Sequence, residues 1–142
     1  MKARGEFGLF FVAIVFTTIV LGVCSGPQRR GIEGTVTLDG QPIPEGYIKL
    51  VPLEGTRGPT AGASIVDGRF SIDAAKGTFV GTFRVEILAT RETGRQAFDT
   101  LAKEAYTVRE QYIPAKYNTA SELTAEISDS GPNLLGFELV SR

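Results

Sequence analysis

The residue types that most often carry chemistry are almost absent from this sequence. It contains no histidine and a single cysteine, Cys24, so the usual zinc, haem and iron–sulfur ligand sets cannot be assembled. A serine nucleophile would lack its standard histidine base, and no Ser-x-x-Lys pattern places a lysine in that role. We therefore expect no catalytic residues, no metal site and no cofactor.

The acidic residues that stand beside glycines are better explained by turns than by chemistry. Asp39 and Asp67 each precede a glycine, and Asp129 stands two residues before Gly131. A calcium site needs several oxygen ligands that converge on one point, and no Asp-x-Asp-x-Asp ladder occurs here. We interpret these carboxylates as turn residues, because aspartate followed by glycine favours tight turns.

One stretch combines aromatic and cationic side chains, which together favour contact with proteins or sugars. Its members are Tyr106, Arg109, Tyr112, Lys116 and Tyr117. A second interpretation is that Ile113, Pro114 and Tyr117 cover an open sheet edge, which an antiparallel sheet needs in any case. Both interpretations stay open: a contact surface in one case, edge cover in the other.

Length and charge limit the classes of protein and partner. The sequence has 142 residues, which suits one domain plus an N-terminal addition. It carries 15 basic and 16 acidic residues, for a formal net charge of −1. Nucleic-acid binding requires a basic face that neutralises phosphates. We expect no nucleic-acid partner.

The N-terminus has the layout of an export signal. Lys2 and Arg4 precede the apolar run Phe7–Val23, and small residues follow it. Leu21-Gly22-Val23-Cys24 resembles the bacterial lipobox, in which the cysteine is lipidated and becomes the new N-terminus. The resemblance makes Cys24 the candidate lipidation site.

Two other outcomes compete with lipidation. The chain could be cleaved after Ser25 and released, or the apolar run could remain as an uncleaved anchor, with Arg29 and Arg30 flanking it. All three outcomes export the remaining domain. We divide the chain into a signal peptide or anchor helix at 1–24, a tether at 25–30 and a domain at 31–142.

Alternating apolar and polar residues predict an all-β domain of about seven strands. The stretch Gly31–Pro52 organises it, with two alternating runs separated by the Asp39-Gly40 turn. Asp67-Gly68 lies between two further runs and predicts a type I′ hairpin turn. The clearest strand is Thr82–Thr90, whose apolar residues should point inward.

Strand alternation is lost between Arg91 and Ser121, so we describe 91–121 as an insertion. Phe98, Leu101 and Ala105 fit a helical period, which predicts a short helix near Ala97–Tyr106. An interval of this length without strands is typical of a functional or mobile segment.

The exported part resembles the transthyretin-like and carboxypeptidase-regulatory-like β-sandwiches. The matching stretches are Gly-Thr-Val-Thr-Leu-Asp-Gly-Gln-Pro-Ile-Pro, Tyr-Ile-Lys-Leu-Val-Pro, Val-Asp-Gly-Arg-Phe-Ser-Ile and Gly-Thr-Phe-Val-Gly-Thr-Phe-Arg-Val-Glu-Ile. The segment from Ile113 to Asn118 and the terminal Phe137-Glu138-Leu139 are similar to those of small bacterial envelope proteins of unknown function. The resemblance implies an antiparallel β-sandwich over about Gly31 to Val140.

The export signal, the tether, the missing catalytic residues, the aromatic stretch and the resemblance together lead to three functional expectations. The first is a non-enzymatic, membrane-anchored module of the bacterial cell envelope, which binds or spaces another envelope protein or a glycan. The second is a carbohydrate-binding module that uses the Tyr106–Tyr117 surface. The third is a small transthyretin-like hydrolase, which is disfavoured because its catalytic histidines and Tyr-Arg-Gly-Ser tail have no counterpart here.

Overall fold

The computed structural model describes residues 26–142. The expectations for the signal or anchor segment, including lipidation of Cys24, and for the first tether residue, Ser25, lie outside the described residues. None of the helices in the described part is long and apolar enough to cross a bilayer.

The described chain is all-β, as the alternation predicts. Its strands are β1 (Ile32–Leu38), β2 (Gln41–Pro42), β3 (Glu45–Pro52), β4 (Ala61–Val66), β5 (Arg69–Ile72), β6 (Gly81–Leu88), β7 (Thr90–Asp99), β8 (Glu104–Gln111), β9 (Thr124–Ile127) and β10 (Asn133–Leu139). Two single-turn 3₁₀ helices lie at Ala74–Lys76 and Ala115–Tyr117. All seven predicted strands are present, and β2, β7 and β8 are additional.

Eight strands form one sheet in the order β10-β1-β5-β4-β3-β6-β9, with β2 beside β1. The sheet curls into a half-barrel, and all neighbours are antiparallel except β1 and β10, which run parallel. The two runs of the opening stretch, β1 and β3, are not neighbours, since β5 and β4 lie between them.

The core lies on the concave face of this sheet. Phe83, Val85 and Ile87 of β6 are fully buried, as the alternation predicts. Ile48 and Leu50 of β3, which are opposite Ile87 and Val85 in the register, are also fully buried. One continuous apolar cluster therefore joins neighbouring strands, which is what a period of two on a one-sided sheet requires.

Both Asp-Gly pairs form turns in which the two residues have positive φ. The values are 50° and 78° at Asp39 and Gly40, and 49° and 72° at Asp67 and Gly68. The second turn joins β4 to β5 as a type I′ hairpin. The interpretation of these carboxylates as turn residues agrees with this geometry.

The predicted helix near Ala97–Tyr106 is wrong. This stretch forms the end of β7, a tight turn and the start of β8. Phe98 and Leu101 do have helical spacing, but they are 62% and 95% exposed, so a helix there would have no core to pack against. The chain reverses direction in this turn, where Lys103 has a positive φ of 56°.

The strand directions sort the loops of the eight-stranded sheet into two ends. One end holds 26–31, 53–60, 73–80 and 128–132, and we call it the entry end because the described chain begins there. The other end holds the turns at 39–44 and 67–68 and the whole of 89–123. β6 spans the two ends and is about 26 Å long at about 3.3 Å per residue.

Candidate functional site

The 91–121 interval contains a β-hairpin that belongs to a sheet of its own. β7 and β8 pair only with each other, from Thr90 opposite Gln111 to Asp99 opposite Glu104. We call Thr90–Gln111 the arm. A register shift between Glu92 and Gln96 adds a bulge, which breaks the regular alternation that sequence analysis depends on.

The tip of the arm exposes large apolar side chains. Phe98, Leu101 and Tyr106 are 62%, 95% and 53% exposed. Opposite residues of a pair share a face, so Phe98 with Ala105 and Tyr106 with Ala97 place apolar groups on both faces of the hairpin. Much of the apolar surface of these residues is therefore not buried within residues 26–142.

Charge pairs and an aromatic ring occupy the part of the arm nearest the sheet. The Arg91 guanidinium donates to Glu110 Oε1 at 3.0 and 2.9 Å and lies 5.6 Å from the centre of the Tyr112 ring. On the other face, Arg109 donates to Thr90 Oγ1 at 3.2 Å and to Glu45 Oε2 at 3.4 Å. Because these contacts are exposed, they contribute little to the stability of the protein. Their main effect is on the orientation of the arm.

The arm joins the sheet through a polar clamp that sequence analysis missed. Gln111 Oε1 accepts hydrogen bonds from the backbone N–H groups of Ala89, at 3.0 Å, and Ile113, at 3.1 Å. The N–H of Tyr112 donates to the Ala89 carbonyl at 3.1 Å. Ala89 and Ile113 are buried, so the base of the arm is held by satisfied backbone groups.

The segment after the arm lies along the part of β6 that follows its pairing with β9. The Val85 N–H donates to the Leu123 carbonyl at 2.8 Å, and the Ser121 hydroxyl donates to the Val85 carbonyl. Asn118 Nδ2 donates to the Ile113 carbonyl at 3.0 Å, which closes the loop on itself. These hydrogen bonds to β6 come from Ser121 and Leu123, so edge cover by Ile113, Pro114 and Tyr117 stays a prediction.

The five predicted contact residues do not form one surface. Tyr106 lies in β8, and Tyr112 directly follows the last residue of that strand. The two tyrosines are an even number of residues apart and so share a face, whereas Arg109 lies on the opposite face. Lys116 and Tyr117 lie in the second 3₁₀ helix, with the Lys116 ammonium 5.0 Å from the Tyr117 ring centre.

Lys116 and Tyr117 are already engaged by the end of the chain. Lys116 Nζ donates to the Arg142 main-chain oxygen at 2.6 Å, and the Val140 N–H donates to the Tyr117 hydroxyl at 3.2 Å. Tyr112 and Tyr117 both pack against the core. Burial raises the pKa of the Tyr112 phenol, and the Arg91 charge opposes that rise. Of the three tyrosines, Tyr106 is the most exposed.

The Asp99 carboxylate organises the tip of the arm. Its Oδ1 accepts hydrogen bonds from the backbone N–H groups of Ala102, at 3.0 Å, and Leu101, at 2.8 Å. These two bonds lower the pKa of Asp99 from its ordinary value, because they favour the charged form.

We expect the tip to loosen in acid. A folded-state pKa below the unfolded value means that the carboxylate stabilises the turn above the unfolded pKa, and that this contribution is lost as pH falls through the folded pKa. An NMR titration should place the pKa of Asp99 below that of an aspartate in an unstructured peptide, and amide protection of Leu101 and Ala102 should fall as the Asp99 carboxylate becomes protonated. Protection that is independent of pH, or equal in Asp99→Ala, would contradict this role.

Within residues 26–142, no group of three or more histidine, cysteine, aspartate or glutamate side chains could hold a metal ion. No protein-family model, curated protein or solved structure matches the chain. The candidate site is therefore defined by the geometry of the arm.

Proposed function

We propose that this protein is a non-enzymatic module of the bacterial cell envelope, exported, membrane-anchored and specialised for binding through the arm. The observation that carries the proposal is a hairpin that exposes Phe98, Leu101 and Tyr106 while its base is clamped to the sheet. An isolated hairpin is marginally stable in water, and exposed apolar patches commonly mark interaction sites.

The fold we propose is a transthyretin-like β-sandwich. The curled sheet supports this fold, because the sheet encloses its apolar face. Its two outermost strands, β9 and β10, are joined by only five residues. Asn133 Nδ2 donates to the Ser128 carbonyl, at 3.3 Å, and to the Gly31 carbonyl, at 3.5 Å, across that connection. The resemblance of the opening stretch and of the later strands to this family points the same way.

An envelope protein is the partner we favour over a glycan. Sugar binding by stacking would need several exposed rings on one surface, whereas Tyr112 and Tyr117 pack against the core and have partners of their own. The apolar tip is better suited to an apolar pocket of a protein. Binding on a glycan array that is lost in Tyr106→Ala would instead favour the carbohydrate-binding alternative.

Replacing the arm should remove binding and keep the fold. Thr90 and Gln111 are paired, so an Asn-Gly turn can replace residues 91–110 while the Gln111 clamp remains. We expect the arm-replaced variant to have an unfolding transition close to that of the wild type. We also expect it to lose the complex that native electrophoresis should detect in mild-detergent extracts of the wild type. Leu101→Asp alone should weaken the complex, and Glu126→Arg, at an exposed position of β9, should not.

An unchanged complex after arm replacement would overturn the binding role of the arm. The non-enzymatic part is tested separately: hydrolysis of ester, peptide, glycoside or hydroxyisourate substrates above background, and lost on single substitutions, would contradict it.

The mode of anchoring gives a further prediction. If Cys24 is lipidated, Cys24→Ser should move the protein from the membrane to the soluble fraction, since the acyl chains that hold it are no longer attached. If the apolar run Phe7–Val23 is an uncleaved anchor, the variant should stay in the membrane. Mass spectrometry of the mature N-terminus distinguishes both from cleavage after Ser25, and a mature chain found in the cytosol would contradict export.

A further inference from the structure

The entry end of the sheet carries a cleft that the binding role of the arm leaves unused. We call it the entry cleft. Its volume is about 700 Å³. The chain segment Gly26–Gln28 forms one wall. Its lining also includes Arg30, Arg57, Val80 and Asp129.

The entry cleft combines cations with exposed apolar surface. Arg30 pairs with Asp129, yet its Nε is buried and has no hydrogen-bond partner within residues 26–142. Arg57 is exposed and makes no ion pair within the same residues. Val80 is 49% exposed beside them. Cations next to an apolar group match the boundary between phospholipid headgroups and acyl chains.

The position of the cleft favours the same partner. The described chain begins at Gly26 in the cleft wall, and the apolar run ends three residues earlier at Val23. Three residues span at most about 10 Å. A run held in the bilayer would therefore keep the entry cleft within reach of the headgroups. The arm leaves from the opposite end of β6.

We propose that the entry cleft rests on anionic phospholipid headgroups, so that the arm points away from the bilayer. The exposed Arg57 faces phosphate groups, and Val80 lies at the depth of the glycerol backbone. This inference rests on the anchoring part of the proposed function. It adds the orientation in which the anchored domain is held.

The absence of tryptophan from the sequence permits a direct test. Val80→Trp and Leu101→Trp each introduce one fluorophore at an exposed site of the full chain. In proteoliposomes that contain phosphatidylglycerol and brominated phosphatidylcholine, we expect emission of Val80→Trp to shift to the blue and to be quenched. Emission of Leu101→Trp, at the tip of the arm, should do neither.

A matched pair of charge reversals tests the electrostatic part. Arg57→Glu should reduce quenching of the Val80→Trp fluorophore, and raised salt should do the same, because exposed charges are screened. Arg69→Glu makes the same change at an exposed position next to the Asp67-Gly68 turn, at the other end, and should have no effect.

Each alternative result has a clear meaning. A chain that floats with the vesicles but shows an unquenched Val80→Trp overturns the inference and leaves the anchored module intact. Quenching of Leu101→Trp instead would show that the arm contacts lipid, which also overturns it. A chain that does not float with the vesicles overturns both the anchoring and the orientation built on it.

Discussion

Phe83→Ala should lower the free energy of unfolding by about 3–5 kcal/mol, the usual cost of removing a buried aromatic ring. Phe83 is fully buried in β6, opposite Pro52 of β3 and Ala125 of β9. Neither neighbour can fill the space of a phenyl ring, because the proline is rigid and the alanine is small. The measurement is chemical denaturation of both proteins, with the midpoint and slope fitted separately.

The matched control for this change lies one strand away. Glu126 of β9 is exposed and paired with Thr82, next to Phe83 in β6. Glu126→Ala should change the free energy of unfolding by less than about 0.5 kcal/mol, as is usual for surface substitutions. Equal small effects of the two changes would mean that the concave face of β6 is not the core.

The second large effect is expected at Gly34→Ala, with a cost of about 1–3 kcal/mol from overpacking. A Cβ at Gly34 would stand 2.7 Å from the Phe70 ring and closer still to the Leu135 carbonyl oxygen. The ring also stacks against Phe137, with 6.5 Å between centroids. It therefore cannot move away without disturbing the core.

Gly136 provides the control for this change, since it lies on the adjacent strand β10. A Cβ there would meet the Thr35 hydroxyl at 3.9 Å, which is ordinary contact. Gly136→Ala should be neutral or slightly stabilising, because alanine restricts the unfolded chain. If Gly34→Ala were as well tolerated as Gly136→Ala, the close packing of β1 between β5 and β10 would be wrong.

The strands that could be read from the sequence are those with one buried face. β1, β3, β6 and β10 alternate cleanly, and the two Asp-Gly turns have the conformation that their residues favour. The arm could not be read in this way, because its apolar residues lie on both faces and a bulge interrupts β7. The helical spacing of Phe98 and Leu101 was a coincidence of that pattern.

Strand order and pairing partners could not be predicted from the sequence either. β1 and β10 pair in parallel, Ile32 with Asn133, across nearly the whole domain. No local pattern reports such a contact, since alternation specifies a face and not a neighbour. For the same reason, the sequence could not show that β1 and β3, the two runs of the opening stretch, have two other strands between them in the sheet.

For the candidate site, composition indicated the interval that contains the arm but not the shape of the arm. The cluster of tyrosines and cations drew attention to Tyr106 and Arg109, which do lie on the arm. Once β8 is known to be a strand, its period of two places these residues on opposite faces. The Gln111 clamp could not be predicted, because no sequence pattern distinguishes a glutamine that binds backbone N–H groups from any other glutamine at a strand end.

The most direct test of the arm as a contact element is photo-cross-linking in cells that naturally produce the protein. A photoreactive amino acid at Leu101, which is 95% exposed, should give adducts of one discrete mass. The same amino acid at Glu126, an exposed position of β9, should give none. No adduct from Leu101, or the same adducts from both positions, would contradict the account.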